Sequence, residues 1–297
     1  MIQYKFINIK SLIIWLLLFT VATFSHINAQ EQETDEIDLL LDELFFSEDK
    51  LLDDILESFN TYSFIYSNVS FNSNTFFSGR DYGVDQFNIV PQMTYYHSSG
   101  FNIGVSGILY ETYTPNWDFT NVYLGYYNTI GKQKKLNYNI SYSHFFYTNG
   151  WDIFTNSIDV GLGYRNKNKT LGTKLTGSYL FGKDQALQFQ WSSYGNFSLV
   201  KQKQYTIKFK PQFRFIAAQQ TIAFEYISDI NGETIIDYDD IFDLLNTQIN
   251  IPFALYTRSW DFEVSYNINL PSKVETESDL NTTSFINISV GYIIDLN

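Results

Sequence analysis

The chain has 297 residues, a formal charge of −13 and no cysteine, which excludes disulfides, thiolate metal sites and thiol catalysis. Aromatic residues make up 19% of it, with 23 Tyr and 27 Phe, yet its mean hydropathy is slightly negative. A water-soluble domain that aromatic needs long apolar runs, whereas here the aromatics alternate with Asn, Ser, Thr, Gln and Gly.

The first residues have the three parts of an export signal. Lys5 and Lys10 supply the positive region, Leu12 to Val21 the apolar run, and Ile27-Asn28-Ala29 the small residue at the cut. Residues 1–29 are therefore expected to be a cleaved signal peptide. A spanning helix needs about 20 apolar residues, and this run is about half that. No cysteine follows the cut, so no lipoprotein anchor is expected.

Residues 30–59 differ sharply from the remainder of the chain. The stretch 31–58 holds twelve acids (Glu31, Glu33, Asp35, Glu36, Asp38, Asp42, Glu43, Glu48, Asp49, Asp53, Asp54, Glu57) and one base, Lys50, a local charge of −11. Ile37, Leu40, Leu41, Leu44, Phe45, Leu51, Leu52, Ile55 and Leu56 recur at three- and four-residue steps and form one apolar stripe. This spacing predicts a short acidic amphipathic helix or helical pair, with Ser47 placed to cap a second helix. Its acidic face disfavours anionic lipid headgroups. It fits a periplasmic helix packed on the rest of the chain or on another copy, a plug, or a docking helix for an envelope partner.

From residue 60 the period changes to two. In 136–147 the even positions begin Leu136, Tyr138, Ile140 and Tyr142, against Asn137, Asn139, Ser141 and Ser143. In 260–270, Trp260, Phe262, Val264, Tyr266, Ile268 and Leu270 oppose Asp261, Glu263, Ser265, Asn267 and Asn269. Strands are predicted at 61–77, 86–97, 101–112, 118–130, 136–147, 156–165, 170–182, 186–200, 205–228, 247–256, 260–270 and 284–296. Most exceed the five or six residues usual in soluble sheets and suit a tilted membrane crossing. The ninth is read as one long strand with a bulge near Ala217-Ala218-Gln219-Gln220, because an even count is expected of a single-chain barrel. The reading is all-β: a transmembrane antiparallel up-and-down β-barrel of about 12 strands over 60–297. No segment after the signal is apolar enough for a spanning helix, and a closed barrel is the other way to satisfy backbone groups in lipid.

The connections alternate in length. Short ones fall at 98–100, 131–135, 166–169, 201–204 and 257–259, and longer ones at 78–85, 113–117, 148–155, 229–246 and 271–283, with 183–185 the short exception. The short ones are basic (Lys132, Lys134, Lys135, Lys167, Lys169, Lys201, Lys203, Arg258) and two of the long ones acidic, so the short turns are assigned to the periplasm and the long loops to the outside. The last strand, Phe285-Ile-Asn-Ile-Ser-Val-Gly-Tyr292, alternates and carries an aromatic near its end. It resembles the assembly signal of bacterial outer-membrane β-barrel proteins, although the chain finishes Asp295-Leu296-Asn297. That resemblance implies a Gram-negative outer membrane, with lipid and lipopolysaccharide as surroundings.

Parity points Lys174, Lys208, Lys210, Arg214, Asp159, Arg165, Glu225, Asp261 and Glu263 into the lumen. These charges either pair and fill a narrow interior or line a small anion-favouring pore. The segment 229–240 offers Asp229, Asn231, Glu233 and Asp237 as a weak calcium candidate, though without EF-hand spacing. Tyr95-Tyr96-His97-Ser98-Ser99-Gly100 is similar to the His-x-Ser-Asn-Gly motif of outer-membrane phospholipase A but lacks the Asn, and His144 has Phe146 where a serine would be needed. Both histidines are expected at the membrane interface. No phosphate loop, zinc pattern or basic nucleic-acid patch occurs, and no cofactor is expected. The leading expectation is a small porin-like channel that is not an enzyme. The alternatives are an accessory barrel docking partners through the acidic helix and, third, a lipid-modifying enzyme.

Overall fold

Alternating apolar and polar residues make extended backbone the favoured conformation, because it puts the two classes on opposite faces. A computed structural model describes residues 63–296 except 77, 82–84, 112–115, 149–152, 228–233 and 275–279, and for 220–240 the backbone alone. The signal 1–29 and the acidic segment 30–59 lie outside the described residues.

The strands are β1 (Ser63–Asn72), β2 (Asn88–His97), β3 (Phe101–Tyr110), β4 (Trp117–Ile130), β5 (Leu136–Tyr147), β6 (Phe154–Arg165) and β7 (Leu171–Gly182). Next comes β8, Gln185–Gly195 continued as Phe197–Lys201, and β9, Thr206–Phe209 continued as Gln212–Ile227. β10 (Thr234–Tyr256), β11 (Trp260–Pro271) and β12 (Thr283–Asp295) complete the set. Each strand pairs antiparallel with the next, and β1 pairs with β12 (Ser67↔Tyr292), which closes a twelve-strand up-and-down barrel.

The two interruptions share one cause. Register is unchanged across the gap, Lys208↔Ser198 on one side and Gln212↔Tyr194 on the other, so β8 and β9 each continue through it. Pro211 has no N–H to give the ladder, and the pairing lapses there.

Three expectations are corrected. The first predicted strand, 61–77, ends at Asn72, so the connection after it is longer than expected. The predicted loop 229–246 is largely strand, because β10 starts at Thr234. Its acids favour a loop on composition, but the backbone of Asp237, Asp239 and Asp240 still makes ladder pairs, which side-chain charge does not prevent. The bulge expected in the ninth strand belongs to its partner: Ile216 pairs with Asn246 and Ala217 with Leu244, leaving Leu245 of β10 as the extra residue. A second bulge falls at Leu199 of β8.

From Gln219↔Phe242 to Ile227↔Thr234, β9 and β10 pair only with each other. These nine register pairs form an arm about 30 Å long beyond the barrel rim, at about 3.3 Å per residue.

The radial distribution is inverted relative to a soluble protein. Leu162, Ile103, Leu124, Leu175 and Trp191 are half exposed or more on the outside, while Gln188, Asn246 and Asn269 inside are almost fully buried. An exposed apolar belt around a closed barrel with a polar interior is satisfied by hydrocarbon outside. Trp260 and Tyr292 pack together at the end bearing the short turns, as in the aromatic girdles of membrane barrels. The chain folds as a closed β-barrel with a membrane-facing outer surface.

Candidate functional site: the barrel lumen

The lumen is built from the inward position of every second residue. Toward the end bearing the short basic turns, β9, β10 and β11 present Lys208 and Lys210, Tyr256, and Asp261 and Glu263. Lys210 Nζ donates to Tyr256 Oη, and Lys208 and Lys210 stand 5.2 and 4.8 Å from the Tyr256 ring centroid. Such cation–ring contacts favour ammonium groups over the aromatic face. Asp261 Oδ2 accepts from Tyr66 Oη at 2.9 Å, and Asn68 Nδ2 donates to the same Oη at 3.0 Å. Tyr66 on β1 reaches Asp261 on β11 across β12 because the intervening inward residue is Gly291. A Cβ there would collide with both Asp261 Oδ1 and Tyr66 Oη. The small Ala254 similarly separates Lys208 and Glu263 in adjoining inward register positions.

A second charged pair lies on β6 and β7. Asp159 accepts from Ser141 Oγ at 3.3 Å and Ser157 Oγ at 3.1 Å. Lys174 passes over Gly161 beside it. Arg165 is buried, but its Nε donates to Lys134 O at 3.0 Å, so this guanidinium braces the 131–135 turn.

Farther from the basic turns the wall becomes an amide relay. Arg214 Nη1 donates to Gln248 Oε1 at 3.1 Å, Gln248 Nε2 to Asn269 Oδ1 at 2.9 Å, and Asn269 Nδ2 to Thr283 Oγ1 at 3.1 Å. The Thr283 hydroxyl then donates to Gly79 O at 2.8 Å. Donation runs in one direction through β9, β10, β11 and β12, the arrangement in which successive bonds polarise one another. A second relay runs Asn287→Asn72→Asn88→Thr75, at 2.8, 2.7 and 2.8 Å, and ends at Gln86 O, 3.1 Å away.

Both relays end on the connection 73–87 between β1 and β2. Its described part folds inward: Thr75, Phe76, Ser78 and Arg80 are buried, and Phe76 packs on the Phe285 ring at 6.2 Å. Arg80 donates through Nη1 to Leu245 O at 3.2 Å and through Nη2 to Ser272 O at 3.0 Å. Gly79 has φ +77, and a Cβ there would come within 2.6 Å of Asn246 Oδ1.

The structure thus places Lys174, Lys208, Lys210, Arg214, Asp159, Arg165, Asp261 and Glu263 on the inward face, in four separate places. The Lys208-Lys210-Arg214 stripe divides, its lysines going to Tyr256 and its arginine to the amide relay. Glu225 lies in the arm, opposite Ile236, and its side chain is outside the described residues. Of the calcium candidates, Asp229, Asn231 and Glu233 lie outside the described residues. Asp237 is a strand residue paired with Phe224 rather than a loop ligand. Among the described residues no group of carboxylates and histidines could hold a metal ion.

His144 Nδ1 donates to Asn156 Oδ1 at 2.8 Å, which also accepts from Tyr142 Oη at 2.7 Å. The ring lies 4.5 Å from Phe146, so the base has an orienting amide but an aromatic where a nucleophile would stand. His97 Nδ1 accepts from the Ser99 backbone N at 3.2 Å and lies 2.7 Å from Ser99 Oγ. It caps the exposed turn Ser98–Gly100, with Gly100 N donating to His97 O at 2.9 Å. Sequence reasoning missed the Tyr66–Asp261 contact, the amide relays and the inward fold of 73–87. The inward Asn and Gln on alternate positions were visible, but not which of them meet.

Among solved structures, the chain is similar to the NanC porin (10% identical, covering 77% of this chain and 98% of that one, TM-score 0.45). It is similar to the KdgM porin (10% identical, 77% and 98%, TM-score 0.43). It is also similar to an outer-membrane channel from Pseudomonas putida F1 (9% identical, 80% and 97%, TM-score 0.45). No protein-family model and no curated protein matches the sequence.

Proposed function

We propose that this protein is a narrow outer-membrane channel that admits small solutes passively, without catalysis. The observation that carries the reading is the inner wall: amides, hydroxyls and charges of both signs face inward, where apolar side chains would suffice to fill a scaffold. An eight-strand interior is filled by side chains and a sixteen-strand one holds a wide channel, so twelve strands suit a small lumen. Cations at Lys208 and Lys210 stand near acids at Asp261 and Glu263, which favours weak ion selectivity. The test is reconstitution of the folded barrel in planar bilayers, and in liposomes swollen by sugars of graded size. Small unitary currents and uptake that falls steeply with solute size are expected. Folded protein with no activity above empty bilayers would sink the reading.

A second reading concerns residues 30–59. The described chain begins at Ser63, at the same end of the barrel as the cationic Lys208 and Lys210. Opposite charge supports docking of the acidic segment at that mouth as a plug, and docking of an envelope partner is the competing use. Removal of 31–58 separates them. Higher conductance supports the plug, loss of a co-purifying protein supports the partner, and neither change removes both.

A further inference from the structure

The described residues of the connection 73–87 fold inward and hydrogen-bond to residues of distant strands. Its base is fixed by the relay through Asn72, Asn88 and Thr75. Its tip is fixed at two places well away in sequence: Thr283 on β12 holds Gly79 O, and Arg80 bridges Leu245 O and Ser272 O at β10 and just beyond β11. The strap therefore crosses from the β1–β2 edge of the mouth over β12 to β10 and β11, inside the ring of strands. It is held at both ends, and a buried guanidinium that loses its carbonyl partners is strongly disfavoured. Gly79 is required at the tip, since its left-handed backbone and its approach to Asn246 both exclude a larger residue.

Resting on the channel reading, we infer that this strap, and not the strand wall, sets the size limit of the pore, and that Arg80 is the positioning residue that keeps it in the mouth. Twelve strands fix the width of the wall by geometry alone. A segment laid across one side of the mouth reduces that width to what remains beside Phe76, Ser78 and Arg80. The Arg214–Gln248–Asn269–Thr283 relay ties the strap to the mid-wall, so its position is rigid and not a free loop end.

The experiment compares the unaltered chain with Arg80→Gln and with a chain in which residues 78–81 are replaced by two glycines. Each is first shown to run as a folded barrel by heat-modifiable gel mobility. Single-channel conductance and the sugar size limit in liposomes are then measured. Both variants are expected to conduct severalfold more and to admit larger sugars. Because the chain has no cysteine, Ser78→Cys with Thr283→Cys in the Arg80→Gln background can be bridged by a short bifunctional thiosulfonate. Bridging is expected to restore the original conductance, and reduction to raise it again. If the unaltered barrel conducts and both variants keep its conductance and size limit, the strap is not the constriction and only this inference fails. If the strapless chain folds and still does not conduct, the channel reading fails with it.

Discussion

The two halves of the barrel share one strand period and hold different interiors. At the end bearing the short turns these are tight and basic, and charges of both signs gather around two tyrosines, Tyr66 and Tyr256. At the opposite end the connections lengthen, β9 and β10 run on as an arm, and neutral amides pass hydrogen bonds in sequence to an inward-folded strap. The difference teaches that alternation specifies an inner and an outer face but not the chemistry of what fills the inside. A charge in the lumen needs a partner from a neighbouring strand, so its position is set pairwise. An amide has both a donor and an acceptor, so it can extend a chain across four strands.

The largest effect expected comes from breaking the inside–outside contrast on which both halves depend. Ile140 is exposed to lipid and its neighbour Asn139 faces the lumen. Ile140→Arg should cost about 2–4 kcal/mol in a urea titration of folding into vesicles, whereas Asn139→Arg should cost much less. Next is the network around Tyr66 and Asp261: Gly291→Val should push Tyr66 away from Asp261 and cost about 1–3 kcal/mol by overpacking. On the outer side, Thr283→Val removes one hydroxyl from the amide relay and should cost about 1 kcal/mol, with faster proteolysis of the strap as a separate readout. The smallest effect on stability, and the sharpest on function, concerns the charges. Lys208→Gln with Lys210→Gln should shift the reversal potential toward cations, and Asp261→Asn with Glu263→Gln toward anions. Arg165→Gln should leave it unmoved, because that guanidinium is bound to the Lys134 carbonyl. Equal shifts from Arg165 and the lysine pair would erase the distinction drawn between bracing and lining charges.

Much of the fold is legible in the sequence where the signal is local. The strand at 136–147 is β5 to the residue, and Leu136 and Ile140 lie outside while Asn137 and Ser143 lie inside. The short turns at 98–100, 131–135 and 257–259 fall where their composition puts them. Legibility is poorer where local signals compete. Phe76 looks like the continuation of a strand, yet it turns in to meet Phe285, 209 residues later in the chain (285 less 76). Asp237, Asp239 and Asp240 look like loop, yet their backbones pair with Phe224, Ile222 and Thr221.

The sequence by itself determined the period, the approximate strand count, the position of the short turns and the inward face, because side-chain alternation follows from the covalent geometry of extended backbone. Tertiary structure alone decided that Lys208 and Lys210 go to Tyr256, that Arg165 braces the 131–135 turn, that the extra residue is Leu245, and that Gly79 and Arg80 enter the mouth. Each of those depends on a partner brought close only by closing the barrel. A buried polar group takes whichever partner the closed wall supplies, and no local pattern records which one that is.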